Sequence, residues 1–162
     1  MLISAATPAD RAAIIAINNH YIEHSVATFD TELETIEAKA SWFASFDDHG
    51  PYQLLVARDP EVTGYACTSQ YRTHEAFDAT VVLSIYLAPD HVGRGVGSAL
   101  YTALFDAIAD AGLHRALAGI ALPNDASVAL HRRFGFADVG VFDEYATKWG
   151  RQLSTLWMQR PL

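Results

Sequence analysis

Apolar and polar positions alternate between two periods along this chain, and the switches between them mark its elements. Leu2 to Ala5 has the period of a short strand. Thr7, Pro8 and Asp10 then suit N-cap, N1 and N3 of a helix that runs on through Ile14, Ile15 and Ile17. Asn18 to Asp30 mixes polar and apolar groups and fits either a helix end or the wall of a site. A second helix is expected from about Thr35 to Phe46, with Ile36, Phe43 and Phe46 on one side. Tyr52 to Arg58 and Val62 to Tyr71 read as a hairpin across Asp59-Pro60-Glu61.

The pattern is clearest in the middle of the chain. The β-branched run Thr80 to Leu87 meets a Pro89 turn, then glycines at 93, 95 and 97, then a helix. In that helix Val96, Ala99, Leu100, Ala103, Leu104, Ala107, Ile108 and Ala111 recur at three- and four-residue spacing, and Gly112 stands where a C′ residue would end it. Arg115 to Leu122 is apolar enough for a central strand, and its helical connection makes it parallel to Thr80 to Leu87. Pro123-Asn124-Asp125 opens another helix, which stops at Gly135; Val139 to Thr147 and Leu153 to Gln159 form a closing antiparallel pair. These elements predict one α+β domain over residues 1–162, with a mixed, mostly antiparallel sheet and one parallel pair.

Composition narrows what such a domain does. With 162 residues, 51% of them hydrophobic, there is material for one real core. The net charge is −8 and the only basic pair is Arg132-Arg133, which argues against nucleic-acid binding. No run of 18 apolar residues occurs, and MLISAATPAD lacks a basic signal-peptide region, so no membrane role and a cytoplasmic location are expected. The seven histidines do not follow the usual ligand spacings, so no metal is expected, and the single Cys67 reads as a small buried residue.

The glycine loop is the first candidate for chemistry. Unpaired N–H groups and the positive end of a helix favour an anion, and alternate glycines let a bulky phosphate approach the backbone. The loop is neither GxxxxGK[ST] nor GxGxxG, since position 98 is serine. By itself it fits a pyrophosphate held by amides with Arg94 alongside, or an ordinary turn before a core helix.

SIYLAPDHVGRGVGSALY, then GIALPNDASVALHRRFGF, with NHYIEHSVATFDTE near the start, resembles the GCN5-related N-acetyltransferase superfamily, and within it the phosphinothricin acetyltransferase-like group. The resemblance covers nearly the whole chain and implies a sheet whose parallel central pair splays around acetyl-CoA. Residues Gly93, Arg94, Gly95, Val96, Gly97 and Ser98 would then hold the pyrophosphate. Main-chain groups of Ile85, Tyr86 and Leu87 would pair with the pantetheine arm, with Asn124 and Ser127 beside it. His131 stands where many members carry the tyrosine that protonates the leaving thiolate, and Tyr86 is a second catalytic candidate. Without the resemblance, Asn124 is a plain helix cap, Tyr86 a core aromatic and His131 a surface histidine.

The departures from the group are informative. Its T-V-E before S-V-Y reads Thr80-Val81-Val82 here, so the expected base glutamate is Val82. Strand alternation puts Val82, Ser84 and Tyr86 on one face. The usual K-x-G-R-W-x-D appears as Lys148-Trp149-Gly150-Arg151-Gln152-Leu153-Ser154. Arg72, His74, Glu75, Val82 and Ser84 are the acceptor-side candidates, with His74, Glu75 and Tyr86 as substitutes for the base. The implied activity is acetyl-CoA-dependent N-acetylation of a small amine, an amino acid or analogue; an acyl-CoA-binding sensor or subunit with weakened catalysis is the alternative. The resemblance further implies a homodimer, for which Trp149 and Trp157 are interface or core candidates.

Overall fold

The computed structural model describes residues 1–162, and its seven strands form one sheet in the order β1-β2-β3-β4-β5-β7-β6. β1 (Leu2–Ala5), β2 (Leu54–Arg58), β3 (Val62–Gln70) and β4 (Thr80–Leu87) pair antiparallel in turn. β5 (Arg115–Leu122) runs parallel to β4, and β7 (Arg151–Pro161) lies between β5 and the edge strand β6 (Ala137–Lys148), antiparallel to both. The helices are α1 (Arg11–His24), α2 (Ala40–Phe43), α3 (Val96–Ala107) and α4 (Asp125–Arg133). None is long and apolar enough to cross a membrane.

Alternation along the strands divides the core in two. Val81 and Leu83 of β4 join Ala118 and Ile120 of β5 and Met158 of β7 under Leu100, Tyr101 and Leu104 of α3. On the opposite face Ile14, Ile15 and Ile17 of α1 cover Val56 of β2 and Tyr65 and Cys67 of β3, with Tyr86 packed alongside. Period two in the strands and 3.6 in the helices produce this division directly.

Two predicted helices are shorter than their patterns. From Thr35 to Phe46 only Ala40–Phe43 is α-helical; the preceding turn is held by the Thr35 carbonyl and hydroxyl, and Ile36 stays exposed. The buried anchor there is Phe43, against which Trp42 packs edge-on. α3 ends at Ala107 rather than Ala111, because Ala109 and Ala111 make three-residue bonds to Asp106 and Ile108, which tighten the last turn before Gly112 at φ +70.

At the N-terminus Thr7 N–H and hydroxyl both donate to Asp10 Oδ2, at 2.7 and 2.8 Å. Pro8–Asp10 forms a 3-10 turn ahead of α1, and Arg58 Nη2 reaches the same carboxylate oxygen at 2.6 Å. Burial alone would raise the Asp10 pKa; the Thr7 and Arg58 donors outweigh it and hold the group below its ordinary value.

Candidate active site

β4 and β5 stay hydrogen-bonded only from Thr80↔Arg115 to Val82↔Leu117, although each strand continues for five residues beyond. β3 pairs with the other edge of β4 as far as Leu87, and β7 pairs with the other edge of β5 as far as Leu122. The two inner edges, Leu83 to Leu87 and Ala118 to Leu122, therefore face a gap with backbone groups unclaimed by the sheet. The gap is a cleft of about 420 Å³, floored by Ser84 to Leu87 and Gly119 to Ala121 and closed on one side by α4. Tyr21 donates its hydroxyl to the Leu87 carbonyl at 2.7 Å, tying α1 to the end of β4.

The glycine loop stands at the mouth of this cleft. Gly93 and Gly95 have φ of +79 and +84, a region costly for side-chain-bearing residues, and Gly95 caps α3. The first α3 bond runs from Ala99 N–H to Gly95 C=O, so the N–H groups of Val96, Gly97 and Ser98 have no partner within the helix. Gly97 answers to packing instead: a Cβ there would lie 3.1 Å from Leu130 of α4. Arg94 is exposed and does not line the cleft. The arginine that does is Arg133, whose Nη1 donates to Ser98 Oγ at 3.2 Å.

α4 brings three predicted residues to the cleft wall: Asn124, Ser127 and His131. Asn124 is the N-cap of α4, its side-chain oxygen accepting from Ser127 N–H at 3.2 Å. His131 lies one turn past Ser127 and is only 3% exposed. Its Nδ1 is 2.7 Å from the Ser127 carbonyl, which can only accept, so Nδ1 carries the proton. In the neutral ring Nε2 then accepts, and Tyr101 OH donates to it at 2.7 Å. Burial holds the His131 pKa below its ordinary value against the opposing pull of the Ser127 carbonyl, so the ring is neutral near pH 7. Tyr101, completely buried on α3, has its own pKa pushed well up by burial.

A second, smaller cavity of about 140 Å³ opens on the α1 side of β4. Ser84 and Tyr86 line both spaces and form the wall between them. Its other walls include Asn18 and Ile22 of α1, Thr28, Asp30 and Glu34 of the following segment, and Ser69 of β3. Glu34 is engaged rather than free: Lys39 Nζ is 2.6 Å from Oε1 and Asn18 Nδ2 donates to Oε2 at 2.9 Å. Asn18 Oδ1 in turn accepts from Tyr65 OH at 2.5 Å. The Tyr86 hydroxyl donates to the Ala27 carbonyl at 3.4 Å, and burial pushes its pKa up to about 12.

The acceptor-side candidates do not gather here as a set. Ser84 lines the cavity; Val82 is half-buried and lines neither space. Arg72, His74 and Glu75 are exposed on the β3–β4 connection and line neither space either. Arg72 lies over the Tyr71 and Phe77 rings, and His74 Nδ1 accepts from Ala76 N–H. Asn18, Thr28, Asp30, Glu34 and Arg133 also line these spaces, beyond the residues expected from the sequence. Of these, Asn18, Thr28 and Asp30 fall within the mixed polar and apolar stretch 18–30, and Glu34 and Arg133 lie outside it.

Comparison with known proteins agrees with this geometry. The Acetyltransferase (GNAT) family matches residues 15–136. A phosphinothricin N-acetyltransferase of Streptomyces coelicolor is 46% identical over 156 residues, covering 94% of this chain and 91% of its own. The L-amino acid N-acyltransferase MnaT of Escherichia coli is 35% identical, covering 100% and 94%. Among solved structures, a GNAT superfamily phosphinothricin acetyltransferase from Sinorhizobium meliloti, in complex with acetyl-CoA, superposes with a TM-score of 0.93 at 33% identity, covering 99% of this chain and 88% of its own. A glycine loop at a helix start, a sheet opened beside it and a match over most of the chain lead to one conclusion: the protein belongs to the GNAT acetyltransferase family.

Proposed function

We propose that the enzyme transfers the acetyl group of acetyl-CoA to the amine of an amino acid or a close analogue, of the phosphinothricin or methionine sulfoximine kind. The observation that carries this reading is the two-sided wall at Ser84 and Tyr86, with the cleft behind it and a polar cavity in front. Curated relatives named for phosphinothricin and for L-methionine sulfoximine and sulfone support the substrate class.

The cleft suits acetyl-CoA in its chemistry. Free amides at Val96 to Ser98, the open space above Gly93 and Gly95 and the Arg133 guanidinium suit a pyrophosphate. Unpaired edge groups of β4 suit the amides of a pantetheine arm, in the manner of an added strand. Asn124 and Ser127 offer polar atoms beside it. The co-substrate supplies an activated thioester. The neutral amine nitrogen forms the new C–N bond at its carbonyl carbon and gives up one proton, the C–S bond breaks, and the departing thiolate gains one proton, leaving an amide and a free thiol.

The chain's own part is positioning and proton handling. Ser84 and Tyr86 bring the two ligands together, and orientation of this kind contributes effective molarities of about 10⁵ to 10⁸ M. His131 is the proton-carrying ring on the thiolate side: it lines the cleft with its Nδ1–H held by the Ser127 carbonyl and its Nε2 held by Tyr101 OH. No carboxylate stands at position 82, where the resemblance implies the base, so the reaction favours an acceptor that arrives already neutral. A peptide's α-amino group, with a pKa near 7.7–8.0, is neutral in about a tenth of molecules at pH 7 and a lysine side-chain amine, near 10.4, in about one of a few thousand; the α-amine of a free amino acid, with its ionised carboxylate alongside, lies between the two. Acceptors with low-pKa amines, such as free α-amino acids, are therefore preferred over lysine side chains or polyamines.

Thiol release from acetyl-CoA across a panel of amines tests the reading. Turnover is expected for α-amino acids and their sulfoximine or sulfone analogues, with kcat/KM rising along each acceptor's own titration. Acetyl-CoA binding with no turnover on any amine would favour a binding subunit. A homodimer in the cytoplasm belongs to the same proposal. The edge strand β6 exposes Val139, Val141, Phe142 and Tyr145, and Trp149 follows it, an apolar surface suited to a second copy. Trp157 instead packs against Gly119 in the sheet. Sedimentation showing only monomer at micromolar concentration would reject the dimer.

A further inference from the structure

Lys148 is one of only two lysines in the chain, and it is 1% exposed. A buried cation is costly unless its donors are matched. The three partners of Lys148 are all main-chain carbonyls: Ser25 at 2.7 Å, Thr28 at 2.8 Å and Tyr21 at 3.5 Å. They account for the three donors of an ammonium group, and they gather at the C-terminal end of α1, where the helix dipole is negative. The ring of Trp149 lies 4.5 Å from Nζ and adds a cation–π contact. Lys148 ends β6, so this ammonium joins the β6–β7 hairpin to a segment about 120 positions earlier in the chain.

The clamped segment shapes both ligand spaces. Ala27 lines the cleft and its carbonyl receives the Tyr86 hydroxyl; Thr28 and Asp30 line the second cavity. Lys148 lines neither space. Its influence passes mainly through residues 25–30, whose backbone has few other anchors: Ser25 N–H bonds Tyr21 C=O, Tyr86 OH reaches Ala27 C=O, and the remaining local bonds come from the short Ser25 and Thr28 side chains.

We propose that Lys148 is a positioning residue for the acceptor: by holding the Ser25 and Thr28 carbonyls it sets where Ala27, Thr28 and Asp30 stand, and so fixes the shape of the acceptor pocket. This rests on the acetyltransferase reading of that pocket. Ala27 and Tyr21 are the only clamped residues on the cleft, and neither belongs to the glycine loop, so the larger effect falls on the acceptor side.

Lys148→Met keeps the stem and removes the three donors. Amide hydrogen exchange at residues 25–30 should speed up by about 10-fold or more, while β4 and α3 keep their protection. With an amino-acid acceptor, kcat/KM should fall about 10-fold or more, with the acetyl-CoA KM changing less than about 3-fold. Unchanged exchange at residues 25–30 overturns the proposal. So does faster exchange with unchanged acceptor kinetics, or an equal loss for both substrates. If the methionine variant does not fold, Lys148→Arg carries the test: it keeps the charge but spreads it over a planar fork, and it should move loop exchange and acceptor kinetics in the same directions by smaller amounts. Wild-type protein that turns over no amine defeats the acetyltransferase reading, while the exchange measurement still judges the clamp.

Discussion

The two sides of β4 are built by different means. Toward α3 and α4 the cleft is made largely of backbone: an unpaired strand edge, a helix start and two glycines at positive φ. Toward α1 the cavity is made of side chains drawn from distant parts of the chain, Asn18, Asp30, Glu34, Ser69 and Tyr86 among them. A backbone site suits a ligand that is the same throughout a family, because many sequences preserve it. A side-chain site changes with a few substitutions, as the resemblance implies at Val82 beside it. The same fold can thus keep its acetyl donor while its acceptor varies.

The largest expected effect comes from restoring what the acceptor side lacks. Val82→Glu adds a carboxylate at the position where the resemblance implies a base glutamate, and a general base contributes about 10² to 10⁴-fold. The rate at pH 7 should rise by at least about tenfold, and the pH dependence should shift to lower pH. A wild-type kcat/KM profile that breaks near pH 6 to 7 whatever the acceptor would show that a resident group already serves as base.

Next is a change on the backbone side. Gly95→Val places a β-branched residue at φ +84, a conformation costing about 1–2 kcal/mol even for unbranched side chains. Acetyl-CoA affinity should fall about tenfold by calorimetry as the loop shifts, with acceptor preference unchanged. Gly97→Val should act differently, through its clash with Leu130, and lower the melting temperature as well. Equal affinity in a folded Gly95→Val protein would remove the phosphate role of the loop.

The smallest effect is read within the α3–α4 wall of the cleft. Tyr101→Phe removes the donor to His131 Nε2 and should cost about 1–3 kcal/mol of stability by leaving a buried acceptor unsatisfied. Because burial lowers the folded pKa of His131, its contribution to stability is complete above the unfolded value near 6.5 and is lost as pH falls toward the folded value. Denaturant midpoints from pH 7.5 to 5 should decline for the wild type and less steeply for His131→Gln. A flat wild-type profile would mean that the ring is not held neutral.

What could be read in advance follows the same division. The glycine loop, the Asn124 cap and the strand face of Ser84 and Tyr86 depend on neighbours in sequence, so spacing reveals them. Arg94 and Arg133 show the limit: spacing placed the first beside the loop, but helix α4 carries the second to Ser98 across 35 positions. Lys148 could be assigned to a motif but not to an environment, since its three carbonyl partners lie more than 100 residues away. The predicted helix from Thr35 to Phe46 failed for a related reason. Its apolar residues anchor to Tyr65 and the α1 face individually, as Trp42 and Phe43 do, instead of forming one stripe.

The three-residue ladder between β4 and β5 has a thermodynamic consequence. Strands β1 to β4 and β5 to β7 are two slabs whose shared hydrogen-bonded seam ends at Val82 and Leu117, with the rest of the junction left to α3, α4 and whatever fills the gap. A ligand lying along both inner edges completes that seam and belongs to the folded state alone. At about 100 times its dissociation constant such a ligand adds about 2.7 kcal/mol to folding, equivalent to several degrees in the melting temperature of a chain this size. The resting protein then has a sheet whose two halves share only a short seam, and a donor bound in the gap adds to its stability. Its resistance to heat and to proteases in the cell would follow the supply of the donor it consumes.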